Sequence, residues 1–270
     1  MSADFAFLYA ALATYVAAGA IALAGLARER PRERAMLGLL AAALVLHGLA
    51  LALRWQRTGH GPFITMHEIL SSNIWSLALV FTLAAWRYRP VRAAAAVVMP
   101  ILFVMMAWMV STDPAAGHLP ATYRTLWLYV HVSLGKVFLG SVVVAVGLAG
   151  VILLRRFTTG LPWLAALPAD ARLENLAFRF MVVGFLFESL MLVAGAVWAQ
   201  DAWGRYWAWD PLETWAFVTW LTLAGFLHAR ASLKLAPAAG AAMIMAVFVV
   251  AFLTFFGVPF VSMAPHKGAI

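Results

Sequence analysis

The stretch LWLYVHVSLGKVFLGSVVVAVGLAGVILL, residues 126–154, carries a single charge, Lys136, and ends on Arg155 and Arg156. It is longer than the roughly 20 residues a helix needs to cross a hydrocarbon core of about 30 Å. Working outward from it, further apolar segments lie at 93–112, 71–86, 36–54 and 4–27 on one side, and at 176–199, 213–233 and 237–257 on the other. The segment at 71–86 is short for a span, so it is expected to begin earlier, near Thr65, with its polar residues facing protein or water. Helices satisfy their own backbone groups in lipid. The expected fold class is therefore all-α: one polytopic membrane domain over residues 1–270, with about eight transmembrane helices.

Composition agrees. Hydrophobic residues make up 65% of the chain and charged residues 11%, too little polar surface for a soluble domain. The opening MSADFAFLYAALATYVAAGAIALAGLA has no basic residue ahead of its apolar run, which predicts a retained first span rather than a cleaved leader. There is no cysteine, which excludes thiol–disulfide exchange and thiolate metal ligation by this chain. The +8 formal charge is not a nucleic-acid signal, because the basic residues sit mainly in short loops.

Those basic residues set an orientation. Arg28, Arg30, Arg32, Arg34, Arg87, Arg89, Arg92, Arg155, Arg156, Arg172, Arg179, Arg230 and Lys234 fall on one side of the alternation, and Arg54, Arg57, Arg124, Arg205 and Lys267 on the other. Thirteen against five predicts that both termini and the loop between helices 6 and 7 lie outside.

That loop reads WAQDAWGRYWAWDPLETWAFVTW, Trp198 to Trp220, and holds six of the twelve tryptophans. An interfacial aromatic belt is one reading. The other is a flat array of indoles, Trp203, Trp207 and Trp209 among them, beside Gly204, with faces for a large planar apolar ligand. Asp210, Pro211 and Glu213 fit N-cap, N1 and N3 of the next helix. Arg205 would either pair with a ligand carboxylate or sit solvated among headgroups.

The segment resembles the WWD domain of haem-handling proteins. The form WGxYWxWDPxETW followed by His-Ala-Arg is similar to the CcsA (ResC) branch of system II cytochrome c biogenesis. GHGPFITMHEIL upstream, LWLYVHVSLGKV, FESLMLVAGAVWAQ and the closing FFGVPFVSMAPHKG fall in the family's order. Glu68 takes the family's acidic position, while His67 and Thr65 depart from its usual aromatic and Asn. CcmC and CcmF of system I share the WWD core, but Trp209-Asp210-Pro211 with Glu213-Thr214-Trp215 is nearer the CcsA form.

The resemblance implies haem b as the ligand, iron held on the outer side by His131 and His266, and a second, inner position at His228. Taken alone, His131 and His266 read equally as interfacial histidines. His228 lies 18 residues past Asp210, about 27 Å down a straight helix, so outer and inner sites are expected to be distinct. His47 is too shallow to share an iron with His228. The partner ligand is therefore expected from another chain, which the family supplies as CcsB (ResB), and His47 is expected to be a packed, hydrogen-bonded residue. His60, His67 and His118 are assigned to outer loops with solvated or structural roles. Lys136 is expected to snorkel outward or reach a propionate, and Glu188 to pair within the bundle or carry a proton.

The function this implies is a membrane subunit of a cytochrome c synthase. It would bind haem, move it to the outer face and present it to apocytochrome c for thioether attachment, with haem-lyase activity only alongside the CcsB partner. The alternative is a CcmC-like carrier that delivers haem to a separate ligase. The expected location is the bacterial inner membrane, with the WWD loop on the periplasmic side.

Overall fold

The protein is described from a computed structural model covering residues 2–27, 32–158 and 162–258. Its elements follow the apolar segments. In chain order they are α1 (Ala3–Ala27), α2 (Glu33–Thr58), α3 (Met66–Arg87), α4 (Ala95–Ser111), α5 (Leu126–Phe157), α6 (Pro162–Ala165), α7 (Asp170–Trp203), α8 (Pro211–Ser232) and α9 (Pro237–Phe252). A 3-10 turn, Arg89–Ala94, leads into α4, another covers Ala121–Tyr123, and a π-helical turn, Leu253–Gly257, closes α9. There is no strand among the described residues.

Local chemistry sets the helix ends. Thr65 starts α3: its hydroxyl accepts from the Glu68 amide at 3.3 Å, while Glu68 accepts from the Thr65 amide at 3.4 Å. This capping box extends the short apolar segment to the length of a span, as its polar start predicts. Asp210 caps α8, accepting from the Glu213 amide at 3.0 Å. The Glu213 carboxylate reaches back to the Ala208 amide at 2.7 Å. Gly204 ends α7 in the left-handed conformation, φ 72°, and its amide bonds the Gln200 carbonyl.

The bundle is built around α5, which is buried from Phe138 to Ile152 and packs on α3, α4, α7 and α9. A Cβ at Gly147 would lie 2.7 Å from Ala94 Cβ, and one at Gly140 would lie 2.6 Å from Val80. Small residues let helices approach this closely in a bilayer, where packing drives their association.

Seven of the described helices are long and apolar enough to cross a membrane. The remaining expected span, 213–233, corresponds to α8 and is not among them, since Glu213, Thr214, Thr219, Thr222, His228 and Arg230 dilute its apolar character. It nevertheless runs antiparallel to α7 through the same depth. Trp220 donates to Ser189 at 2.8 Å, and Arg230 forms a two-pronged ion pair with Glu174.

The two ends of the bundle are tied differently. At the end opposite the Trp-rich segment, Arg230 pairs with Glu174, Arg92 with Glu33 (2.6 Å) and Arg155 with Asp170 (2.5 Å). Arg155 also donates to the carbonyls of Leu164, Leu167 and Pro168, fastening the turn that contains α6. At the Trp end Arg57 pairs with Asp4 at 2.7 Å, and a second ion pair lies deeper. Arg54 (5% exposed) donates to Glu68 (0%) at 2.8 Å and to the carbonyls of Pro114 and Ala115. It thereby joins α2, the start of α3 and the loop after α4.

Candidate functional site

At the Trp end, α3, α5, α7, the start of α8 and the end of α9 enclose a cavity of about 310 Å³. Its walls are mostly apolar and aromatic, with Phe63, Tyr123, Trp198, Tyr206, Trp207 and Phe255 contributing rings. A pocket of this size and character suits a flat apolar ligand fixed by a few polar groups.

His131 is the imidazole in the wall. Its Nδ1 lies 2.9 Å from the Met191 carbonyl of α7, so that nitrogen carries the hydrogen and Nε2 is the basic one. The ring stacks on Trp198, with centroids 6.0 Å apart and planes 18° apart. Gly195 makes room for it, since a Cβ there would sit 2.8 Å from Nδ1. A carbonyl that accepts the ring's other N–H, and so fixes tautomer and orientation, is the usual support for a metal-ligating histidine.

The indoles do not form a flat array. They meet edge-on in two groups: Trp198 with Trp203 (61°) and Tyr123, and Trp207 with Trp209 (87°) and Phe217. Edge-to-face contact is the favoured geometry of ring quadrupoles, and each group gives one indole to the cavity wall, Trp198 and Trp207. Trp207 lines the cavity, and its indole N–H is buried without a hydrogen-bond acceptor among the described residues. Trp209 is 67% exposed and holds φ at 59°, a left-handed conformation that costs a non-glycine residue of order 1–3 kcal/mol. Burial raises the Tyr123 phenol above its ordinary pKa; a hydrogen bond from the Trp203 indole acts against this, and the Asp210 carboxylate adds to it.

Of the residues singled out by sequence, His131 and Trp207 line the cavity and Trp203 packs behind it. Gly204 and Asp210 act as helix caps, and Arg205 is exposed. His228 lies at the far end, exposed on α8 two residues before Arg230. Glu174, the partner of Arg230, is 24 residues from Trp198 along α7, about 36 Å of helix. The two positions are separate, as the helix arithmetic required. His266 lies outside the described residues.

Three other histidines are structural. His47 is fully buried and bonds Ser71 at 2.9 Å, as expected of a packed residue. His60 and His67 are buried too, not solvated. His60 faces the carbonyls of Gly61 and Gly117, and His67, in the first turn of α3 rather than a loop, faces that of Met109. Glu188 does not pair among the described residues: it is fully buried and neither carboxylate oxygen has a hydrogen bond there.

Sequence reasoning missed Gly195, the Met191 carbonyl, and Ser72 with Asn73, which lie beside Lys136 in the cavity wall. Ser71, Ser72, Asn73 and Ser76 form a polar run inside an apolar segment, a readable sign that this face of α3 meets polar groups.

The profile of the cytochrome c assembly protein family matches residues 36–266. The cytochrome c biogenesis protein CcsA of Synechococcus sp. (strain CC9605) is 34% identical over 224 residues, 72% of this chain and 73% of that relative. CcsA of Prochlorococcus marinus (strain MIT 9301) is 29% identical over 245 residues, 81% of this chain and 79% of that relative. The cytochrome c haem lyase CcmF shares the fold, with a TM-score of 0.73 at 19% identity; the match covers all of this chain and 49% of CcmF. With its helices, its Trp-rich segment and these relatives in agreement, the chain belongs to the CcsA family of cytochrome c assembly proteins.

Proposed function

We propose that this CcsA-family protein, a multi-pass membrane protein of cytochrome c maturation, binds haem in the cavity beneath the Trp-rich segment and presents it to apocytochrome c. The observation that carries the reading is His131: an imidazole of fixed tautomer, pinned to the Met191 carbonyl at 2.9 Å, in the wall of an aromatic cavity. Haem needs that combination, apolar faces for the macrocycle and a neutral imidazole for iron. Gly195 and the Trp207 N–H, which has no acceptor among the described residues, fit it too, the first by admitting the imidazole and the second by offering a donor to a ligand.

Haem b is the substrate, and His266 is assigned as the second outer ligand. The client's two cysteines add across the haem vinyl groups: each thiol sulfur bonds one vinyl carbon and its hydrogen goes to the other. The protein's contribution is to bind, orient and keep the iron ligated, which suits a chain without cysteine. His228, exposed on α8, is assigned to an inner position completed by a CcsB (ResB)-like subunit, in the system II arrangement. The membrane is assigned as the bacterial inner membrane, with the Trp-rich end periplasmic.

The test is co-expression with a CcsB-like partner and a reporter cytochrome carrying a CxxCH motif. His131→Ala, His266→Ala and His228→Ala are expected to abolish or sharply reduce covalent haem in the reporter. Normal maturation by all three variants overturns the ligand assignments. Haem binding by the complex with no attachment to the reporter would instead favour the carrier reading.

A further inference from the structure

Lys136 has no carboxylate partner among the described residues. It lies in the cavity wall, on α5 five residues beyond His131, and donates to Ser72 Oγ at 2.8 Å and Asn73 Oδ1 at 3.4 Å. An ammonium has three hydrogens to donate, and neutral acceptors alone are weak compensation for one removed from water. The missing element is an anion, and the open space beside Lys136 is the cavity.

The other charged group in the wall is Glu213, and it stands at a different height. Gly135, next to Lys136, packs near Phe255, so Lys136 is level with the π-helical turn. Thr254 in that turn bonds Thr219 at 2.8 Å. Thr219 is six residues past Glu213 on α8, about 9 Å further into the bundle. The cavity thus has a carboxylate at its mouth and an ammonium at its floor, which repels anionic groups from one end and attracts them to the other.

From this geometry we propose that Lys136, seated on Ser72 and Asn73, is an orienting site for a carboxylate of the cavity's ligand. Resting on the haem reading above, this directs the propionates toward the floor and leaves the opposite, vinyl-bearing edge toward the mouth, where a client peptide can reach it. Lys136 is a positioning residue here: it touches the end of the haem that does not react. An anionic lipid headgroup offers similar charge, and the experiment separates the two sources.

The full chain is reconstituted in phosphatidylcholine nanodiscs, and binding of haem is compared with that of its dimethyl ester, whose propionates are neutral. The unmodified protein is expected to prefer haem by roughly tenfold or more, the scale of a charge-assisted hydrogen bond. Lys136→Met is expected to lose the preference while keeping the His131-dependent Soret band, and Lys136→Arg to retain much of it. If haem and ester bind equally to the unmodified protein, or if Lys136→Met keeps the preference, the inference fails and the haem site stands. If phosphatidylglycerol in the nanodisc abolishes the preference of the unmodified protein, a headgroup takes the Lys136 position in an anionic membrane and the inference fails. If the unmodified protein binds neither compound, the haem reading itself falls and this inference falls with it.

Discussion

His131 and His228 are both histidines on long helices, yet the protein surrounds them in opposite ways. His131 is held by a carbonyl of α7, stacked on an indole and placed in a cavity that five elements enclose. His228 is exposed on α8 near an end tied by Arg–Glu and Arg–Asp pairs. One imidazole is enclosed by the chain's own elements; the other is presented outward, as the proposed inner position shared with a second subunit would need. The difference teaches that the same residue type on two long helices can be either fixed in place or left open, depending on which elements pack beside it.

Three substitutions probe whether the Trp end is indeed prebuilt. The largest effect is expected from Arg54→Met, which leaves Glu68 buried without its partner at a cost of about 3–5 kcal/mol. Thermal unfolding in nanodiscs should show a clear loss of stability, and retention of native stability would mean that this pair does not lock the loops above the cavity. Gly195→Ala comes next. Its Cβ would meet the His131 ring at 2.8 Å, so overpacking should cost roughly 1–3 kcal/mol and shift the haem spectrum. An unchanged spectrum would show that the imidazole is not fixed by this contact. Asp210→Ala removes the cap of α8 and is expected to cost about 1 kcal/mol, with a modest drop in the unfolding midpoint and the His131-dependent band intact.

The legible parts of this molecule were local or periodic. Thr65 and Glu68 announce the start of α3, and Asp210 and Glu213 that of α8, because a cap joins residues three apart. The spans follow from apolar length, and the distance between His228 and the Trp-rich segment from helix rise alone. What escaped was lateral. Nothing in the spacing of His131 says that the Met191 carbonyl and Gly195 stand opposite it, because that depends on how α5 and α7 pack. The edge-on indoles were hidden for a related reason: Gly204 ends α7 and Trp209 turns left-handed, which divides the segment into two groups. For His60 and His67 the spacing left solvated and structural roles open; burial against the carbonyls of Gly61, Gly117 and Met109 selects the structural one, through contacts between residues far apart in sequence.

The central claim is that His131 ligates haem within this chain while His228 requires a partner. Its most direct test is the absorption spectrum of the full chain, purified without a partner subunit, beside His131→Gly and His228→Ala. The prediction is a haem spectrum that His131→Gly loses, that added imidazole restores, and that His228→Ala leaves unchanged. A spectrum indifferent to His131 but lost in His228→Ala would contradict the account.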